Sequence, residues 1–286
     1  MTPRPDLVTR VRTQGEGFEL SLESGDRIEA DVVVAAPGVG YFAQVPPWAA
    51  SLPDGVGSHT CDTVRFDEMA GARVLLVGGR QSAYEWAALL GEAGAERIDV
   101  VHRHDVPTFD HVSWKFVDAY VDATVQTPGW WRDLPPAEQR AIERRFWDVG
   151  RLTLEWWLTP RLRGDRLHLW PGTTVTSTAT DASGATAVSL SNGSNGSNGE
   201  VLTVDRVVFA TGYRAQLSRV PYLTDVIGDL DVVDGFAPLD HAFQSNVPGL
   251  YLPGFAAVRD FGPFFGFTKA CPAAAALIVQ DVLTRS

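Results

Sequence analysis

The chain has 286 residues, 45% hydrophobic and 21% charged, with a formal net charge of −11. That length supports two modest domains or one large one, and the acidic balance argues against a nucleic-acid partner. Its two cysteines, Cys61 and Cys271, form neither a disulfide framework nor a CxxC dithiol.

The longest apolar run, Ala270 to Val279, is too short to span a bilayer. The N-terminal residues show no secretory h-region. A cytoplasmic protein without a membrane partner is therefore expected.

Residues 7–12 alternate apolar and polar, Gly15-Glu16-Gly17 turns the chain, and residues 18–22 alternate again before Ser24-Gly25-Asp26. A third strand is predicted from Ile28 to Ala36. Its apolar end, Val32 to Ala36, suits a strand buried on both faces, and Pro37-Gly38 stops it.

Arg73 to Val77 (RVLLV) reads as a buried strand and Gly78 to Ala83 as a tight turn. Gln81 to Ala93 follows as an amphipathic helix with Ala83, Trp86, Ala87 and Leu90 on one face. Gly94 is a fitting stop, and Arg97 to His102 is the next strand. This βαβ opening is the arrangement in which a dinucleotide pyrophosphate meets closely approaching backbone and a helix N-terminus. Gly78, Gly79, Arg80, Gln81 and Ser82 form the candidate cradle. Arg80 stands where G-x-G-x-x-A has its middle glycine, so its side chain either clasps phosphate from outside or obstructs it. A scaffold of the same shape that binds no nucleotide is the alternative.

Where a carboxylate would point to NAD, the second strand ends in His102-Arg103-His104. Arg103 suits the 2′-phosphate of NADP, with the histidines as neighbours of that site. No His/Cys/Asp spacing suggests a metal centre.

From about residue 110 to 162 the pattern is helical and aromatic, and seven of the nine tryptophans lie between Trp114 and Trp170. A helix starting near Pro135-Pro136 is predicted to bury Ile142, Phe146, Val149 and Trp156 on one stripe. The tryptophans read as packing, with an apolar substrate pocket as the alternative. Asp110, His111 and Lys115 read as a solvated face.

A second hairpin is predicted from Thr173–Thr180 and Ala185–Ser191, turning at Asp181 to Gly184. A flexible tract runs on to Gly199. The strand Val201–Ala210 is stopped by Thr211-Gly212. LTVDRVVFATG here echoes IEADVVVAAPG near the start, an internal repeat of one supersecondary unit. The chain then reads as loop-rich until GLYLPG (249–254), with a last helix from Phe267 to Leu283. No Ser/His/Asp or Cys/His constellation is present, so no catalytic side chain is assigned.

VLLVGGRQSAYEWAALLGEAGAERIDVVHR (74–103), VVFATGYRA (207–215) and GLYLPGFAAVRDFGPFFGFTKACPAAAA (249–276) occur in that order. With them the chain resembles the flavin-containing monooxygenase-like superfamily, which includes the N-hydroxylating amine monooxygenases. The resemblance implies an α/β fold in which a Rossmann-like nicotinamide-nucleotide domain with a helical insertion is nested in a partial FAD domain with β-meanders. The implied boundaries are 1–56 for the partial FAD domain, 57–204 for the nucleotide domain with its insert at 110–165, and 205–286 for the return.

The resemblance further implies NADP(H) and FAD as cofactors and a small-molecule substrate. The chemistry would be carried by the flavin, with the protein supplying orientation and water exclusion. Thr211 and Gly212 would stand at the exit of the ATG strand. Gly254 and Asp260 would lie near the ribityl and phosphate end of the flavin, with Phe261, Gly262 and the residues to Phe265 on its ring or substrate side. The resemblance places an FAD glycine fingerprint before the first meander, and this chain starts almost at that meander. A truncated or alternatively started frame is thus expected, or a partner chain supplying the FAD-binding unit; a homo-oligomer is a further possibility. Three roles stay open: an NADPH-dependent monooxygenase, a nucleotide-binding remnant without turnover, and an interaction subunit.

Overall fold

The computed structural model describes residues 2–62, 65–111, 113–150, 153–181, 185–192 and 199–285. The chain opens with β1 (Val8–Gln14), β2 (Gly17–Leu22), β3 (Arg27–Ala30) and β4 (Val33–Val34). Next come β5 (Gly57–His59), β6 (Arg73–Val77), α1 (Gln81–Glu92), β7 (Arg97–Val101) and β8 (Thr108–Asp110). Helices α2 (Asp118–Gln126), α3 (Trp130–Asp133) and α4 (Pro136–Gly150) precede β9 (Thr153–Glu155) and β10 (Leu167–Trp170). The remainder is β11 (Thr173–Thr180), β12 (Thr186–Asn192), β13 (Val201–Val204), β14 (Arg206–Phe209), β15 (Leu250–Tyr251), α5 (Val258–Phe261) and α6 (Cys271–Arg285). These residues group into two compact units, one of 1–42, 114–146 and 214–286, the other of 43–113 and 147–213.

The second unit is built on a five-stranded parallel sheet in the order β10-β7-β6-β14-β5. Side chains alternate across it. Val74, Leu76, Ile98, Val100 and Val208 face α1, against Ala83, Tyr84, Ala87 and Leu90. Leu75, Val101, Val207 and Phe209 face the antiparallel meander β11-β12-β13, against Val188, Leu190, Leu202 and Val204. Both faces are covered, which is why β6 reads as an unbroken apolar run. Each buried leucine of that run contributes roughly 1.5–3 kcal/mol. Gly94, at φ 87°, ends α1. The buried Asp99 is satisfied by two Arg97 nitrogens at 2.8 and 3.0 Å and by the Trp170 indole N–H at 2.8 Å.

The first unit holds the antiparallel meander β1-β2-β3 and the parallel pair β4-β15. Its buried aromatic side chains include Trp131, Phe146, Phe243, Phe261, Phe264 and Phe265. The rings of Phe243 and Phe261 stack with centroids 3.7 Å apart.

Three expectations are corrected. The third strand does not run from Ile28 to Ala36. It breaks after Ala30, and β4 buries Val33 and Ala35 while Val34 stays 48% exposed. The amides of Val33 and Ala35 both donate toward β15, to Gly249 and Tyr251 carbonyls, so β4 is bonded along one side only. The strand predicted from Val201 to Ala210 likewise divides into β13 and β14, which belong to different sheets. The sequence repeat is thus a hand-over from meander to parallel strand, made at Asp31 and again at Asp205. Asp205 fixes its own corner by accepting from the Arg73 amide at 2.8 Å and from its guanidinium at 2.7 and 3.0 Å.

The predicted stripe on α4 also fails beyond Phe146. The helix ends at Gly150, Val149 is 41% exposed and Trp156 is 49% exposed in a following 3-10 turn, its ring 5.0 Å from that of His111. The reason is that β9 pairs with β8, pulling the chain off the helical path. The tip of the second hairpin (182–184) and most of the Asn/Gly/Ser tract (193–198) lie outside the described residues. No helix among the described residues is long and apolar enough to cross a membrane.

Candidate nucleotide site

Strand β6 ends at Val77, and the chain passes through Gly78 and Gly79 into α1. Gly78 has φ 141°, and a Cβ there would lie 2.4 Å from the Ala210 carbonyl oxygen. A Cβ on Gly79 would lie 2.5 Å from His102 Cβ and Cγ and 2.8 Å from His104 Cε1. Both glycines are therefore required by close approach, to the end of β14 and to the segment after β7. Arg80 is different: its φ of −115° and ψ of −170° are ordinary extended backbone. The fold does not demand glycine there, which explains how arginine is accommodated. Its guanidinium lies over the Trp147 ring, 3.9 Å from the centroid.

A cavity of about 610 Å³ opens at these strand ends. Its walls are Gly78, Gly79, Arg80 and Ser82, residues 101–104 after β7, 173–175 at the start of β11, 210–213 after β14, residues 44–48, Thr60 and Val77. Among the described residues, two arginines and two histidines line it, and no carboxylate does. In a chain of net charge −11 this is a locally cationic space. Burial, then the nearby charge of Arg103, hold the Arg80 guanidinium below its ordinary pKa. The first turn of α1 adds the N–H groups that every helix start leaves without intrahelical partners.

The wall after β7 is held rigidly. His102 is buried, with Nδ1 2.7 Å from the His104 carbonyl and Nε2 3.1 Å from the Tyr84 hydroxyl. A carbonyl only accepts, so Nδ1 carries the proton and Tyr84 donates to Nε2. Burial lowers the pKa of His102, favouring that neutral form, and raises that of Tyr84 to about 12. The His104 ring stacks on His102 at 4.6 Å. Among the described residues no group of three or more His, Cys, Asp or Glu could hold a metal ion.

Of the expected site residues, Gly78, Gly79, Arg80, Ser82, Arg103, Thr211 and Gly212 line this one cavity. Gln81 does not. Its amide group donates to Glu85 at 2.7 Å and accepts from the Glu155 N–H at 3.1 Å, which joins α1 to β9. The Thr211 hydroxyl donates to the Gln44 carbonyl and the Gly212 carbonyl accepts from the Gln44 amide at 2.9 Å, so both fix the rim. Sequence reasoning missed Gln44 to Trp48, Thr173 to Val175 and Trp147, because they approach the glycine turn only through the fold. Tyr213, two residues past Thr211, was within reach of the strand-end rule.

Gly254, Asp260, Phe261 and Gly262 belong to the first unit. Asp260 accepts from the Leu239 amide at 2.9 Å, Phe261 is buried against Phe243, and a Cβ on Gly262 would strike the Phe264 ring at 2.6 Å. Gly254, at φ 79°, opens a 3-10 turn with clear space beside it. Apart from Gly254 these residues are engaged in packing.

The family model described as L-lysine 6-monooxygenase/L-ornithine 5-monooxygenase matches residues 7–215. Among solved structures, the L-lysine 6-monooxygenase from Pseudomonas syringae superposes with a TM-score of 0.73 at 19% identity, over 98% of this chain and 71% of its own. The Kutzneria sp. 744 ornithine N-hydroxylase, with reduced FAD, NADP+ and L-ornithine, gives 0.74 at 19%, over 98% and 72%. These likenesses show the fold, α/β with a parallel sheet, as the sequence led one to expect. Among curated proteins, a ferredoxin–NADP reductase of Gluconacetobacter diazotrophicus is 34% identical over 100 residues, 34% of this chain and 29% of the relative. One of Sulfurisphaera tokodaii is 24% identical over 253 residues, 88% and 60%. The chain thus spans less than two thirds of the length of these curated relatives, 29% of one and 60% of the other.

Proposed function

We propose a role from a premise now in hand, that the chain belongs to the L-lysine 6-monooxygenase/L-ornithine 5-monooxygenase family: its second unit is the NADPH-binding part of a flavin-dependent monooxygenase acting on a small molecule. The observation that carries this is the carboxylate-free cavity at the Gly78-Gly79 turn, lined by Arg80 and Arg103. Backbone N–H groups of the turn and of Gln81 and Ser82 hold the pyrophosphate. Arg103 pairs with the 2′-phosphate, and Thr211 and Gly212 shape the far wall. Bound NADPH supplies a hydride; the chain's own groups bind, orient and exclude water.

FAD fits the described residues less well. In the first unit, Pro37-Gly38 follows β4 and Pro253-Gly254 follows β15, and 3-10 turns come after both. Neither pairs a glycine turn with a long helix as Gly78 does with α1, and the Asp260 carboxylate is already engaged. The adenosine half of FAD has no cradle among these residues alone, so no step is derived through the flavin. Its binding calls for a further strand–turn–helix element, in the same polypeptide or in a partner chain. That observation favours a second reading, a nucleotide-binding unit without turnover of its own. Cys61 and Cys271 form no disulfide with each other, which suits a reducing, cytoplasmic setting.

Calorimetric titration of the full chain with NADP+ and NAD+, alongside the visible absorption after incubation with FAD, tests the proposal. NADP+ binding with bound flavin supports the monooxygenase. Binding of NADP+ by a colourless protein supports the second reading, and binding of neither dinucleotide contradicts both.

A further inference from the structure

We infer that Arg80 and Arg103 together form a phosphomonoester site, for a phosphate carried on the adenosine ribose of a dinucleotide, and that Trp147 is the positioning residue that aims Arg80 into it. This rests on the reading of the cavity as a nicotinamide-nucleotide site, and goes beyond it by giving a role to the one turn residue that departs from glycine.

The backbone sets the arrangement. Arg80 is in extended conformation at the N-cap of α1, and makes no side-chain cap to the helix. The turn before it is pressed onto residues 102–104, as the 2.5 and 2.8 Å approaches at Gly79 require. The Arg80 and Arg103 side chains therefore start from adjoining backbone and line the same cavity. Trp147 then supplies a platform. A guanidinium stacked 3.9 Å from a ring centroid has its face occupied and its N–H edge available, and that edge is the part that forks onto phosphate oxygens.

Charge decides the ligand. Neither arginine has an ion-pair partner among the described residues, and no carboxylate lines the cavity. The half-buried Arg80 guanidinium lies near the exposed Arg103, and two like charges there are unfavourable until an anion joins them. A phosphomonoester carries close to two negative charges at neutral pH, whereas each phosphate of a pyrophosphate bridge carries one. Both groups carry about two charges in all, but the phosphomonoester concentrates them on one phosphorus, where two guanidiniums lining one cavity can share its oxygens. Ser82 and His104, which line the same cavity, provide further polar groups for its oxygens.

Calorimetry on the full chain and its variants, with NADP+, NAD+, 2′-AMP and adenosine as ligands and thermal melts as folding controls, tests this. R80Q should weaken NADP+ and 2′-AMP by about tenfold or more and leave NAD+ within about twofold. W147L should reproduce that selective loss, W147F should restore most of it, and R80Q/W147L should lose little more than R80Q. Equal weakening of NADP+ and NAD+ by R80Q would place Arg80 on the pyrophosphate and overturn the inference. Tighter binding of both by R80G would do so too, by showing an obstruction. Wild-type NADP+ affinity in W147L would remove the role given to Trp147, and R80Q decides the arginine even if W147L does not fold. A wild-type chain that binds no dinucleotide contradicts the underlying reading, a result distinct from selective binding that R80Q leaves intact.

Discussion

Gly79 and His102 approach so closely that a Cβ on the glycine would lie 2.5 Å from the Cβ and Cγ of the histidine. The glycine turn and the wall after β7 are thus one packed object. Gly79→Ala should cost about 1–3 kcal/mol, because the imidazole must move. Gly78→Ala should cost more, about 2–4 kcal/mol, since it adds backbone strain at φ 141° to a clash with the immovable Ala210 carbonyl. Urea unfolding of the two variants measures the difference, and equal costs would count against the close-approach argument.

The buried pair Tyr84 and His102 gives a pH signature. The folded pKa of His102 lies below its unfolded value, so the unfolded chain takes up the proton first as pH falls. The neutral folded form contributes stability that is complete above about pH 6.5 and declines below it. Tyr84→Phe removes the donor to Nε2. It should cost about 1–3 kcal/mol at pH 8 and shrink the decline, because the freed Nε2 protonates more readily. Stability measured at pH 8 and pH 5.5 in both proteins checks this; a larger decline in Tyr84→Phe would contradict it.

Asp205 lies at the corner between β13 and β14. Hydrogen bonds from Arg73 hold its carboxyl below the usual range. Its contribution is present above the unfolded pKa of about 3.9 and is lost as pH falls through the lower folded value. Asp205→Asn should cost about 1 kcal/mol at neutral pH, since the pair is partly solvated. It should also flatten the acid limb of the stability profile. An unchanged acid limb would mean the pair does not order the corner.

Asp260 distinguishes packing from flavin contact. Its carboxylate accepts from the Leu239 amide at 2.9 Å. Asp260→Ala should lower the melting temperature in flavin-free protein, through a loss of about 1–3 kcal/mol. A variant that melts like wild type without flavin, yet differs when flavin is added, would support the cofactor role expected for Asp260.

The parts legible in sequence were those written locally. Val74 to Val77 reads as a two-sided buried strand because both its faces are covered, and Gly78 and Gly94 mark turn and stop because their backbones need positive φ. The repeated segments ending at Ala36 and Ala210 revealed the two hand-overs but not their breaks, since Asp31 and Asp205 interrupt strands only through pairing with different partners. Phe146 and Val149 look equivalent on a helical wheel, and only the departure of the chain at Gly150 separates them. The cavity walls contributed by residues 44–48 and 173–175 and the Trp147 platform come from contacts distant in sequence, and no spacing rule reports them.

The most direct measurement is the affinity of Arg103→Ala for the two dinucleotides. Arg103 sits on the wall of the carboxylate-free cavity, at the end of the strand beside β6. The variant should lose about tenfold or more in NADP+ affinity while NAD+ changes by less than about twofold. Equal loss of both, or NADP+ binding that Arg103→Ala leaves intact, would contradict the assignment of this cavity as the NADPH site.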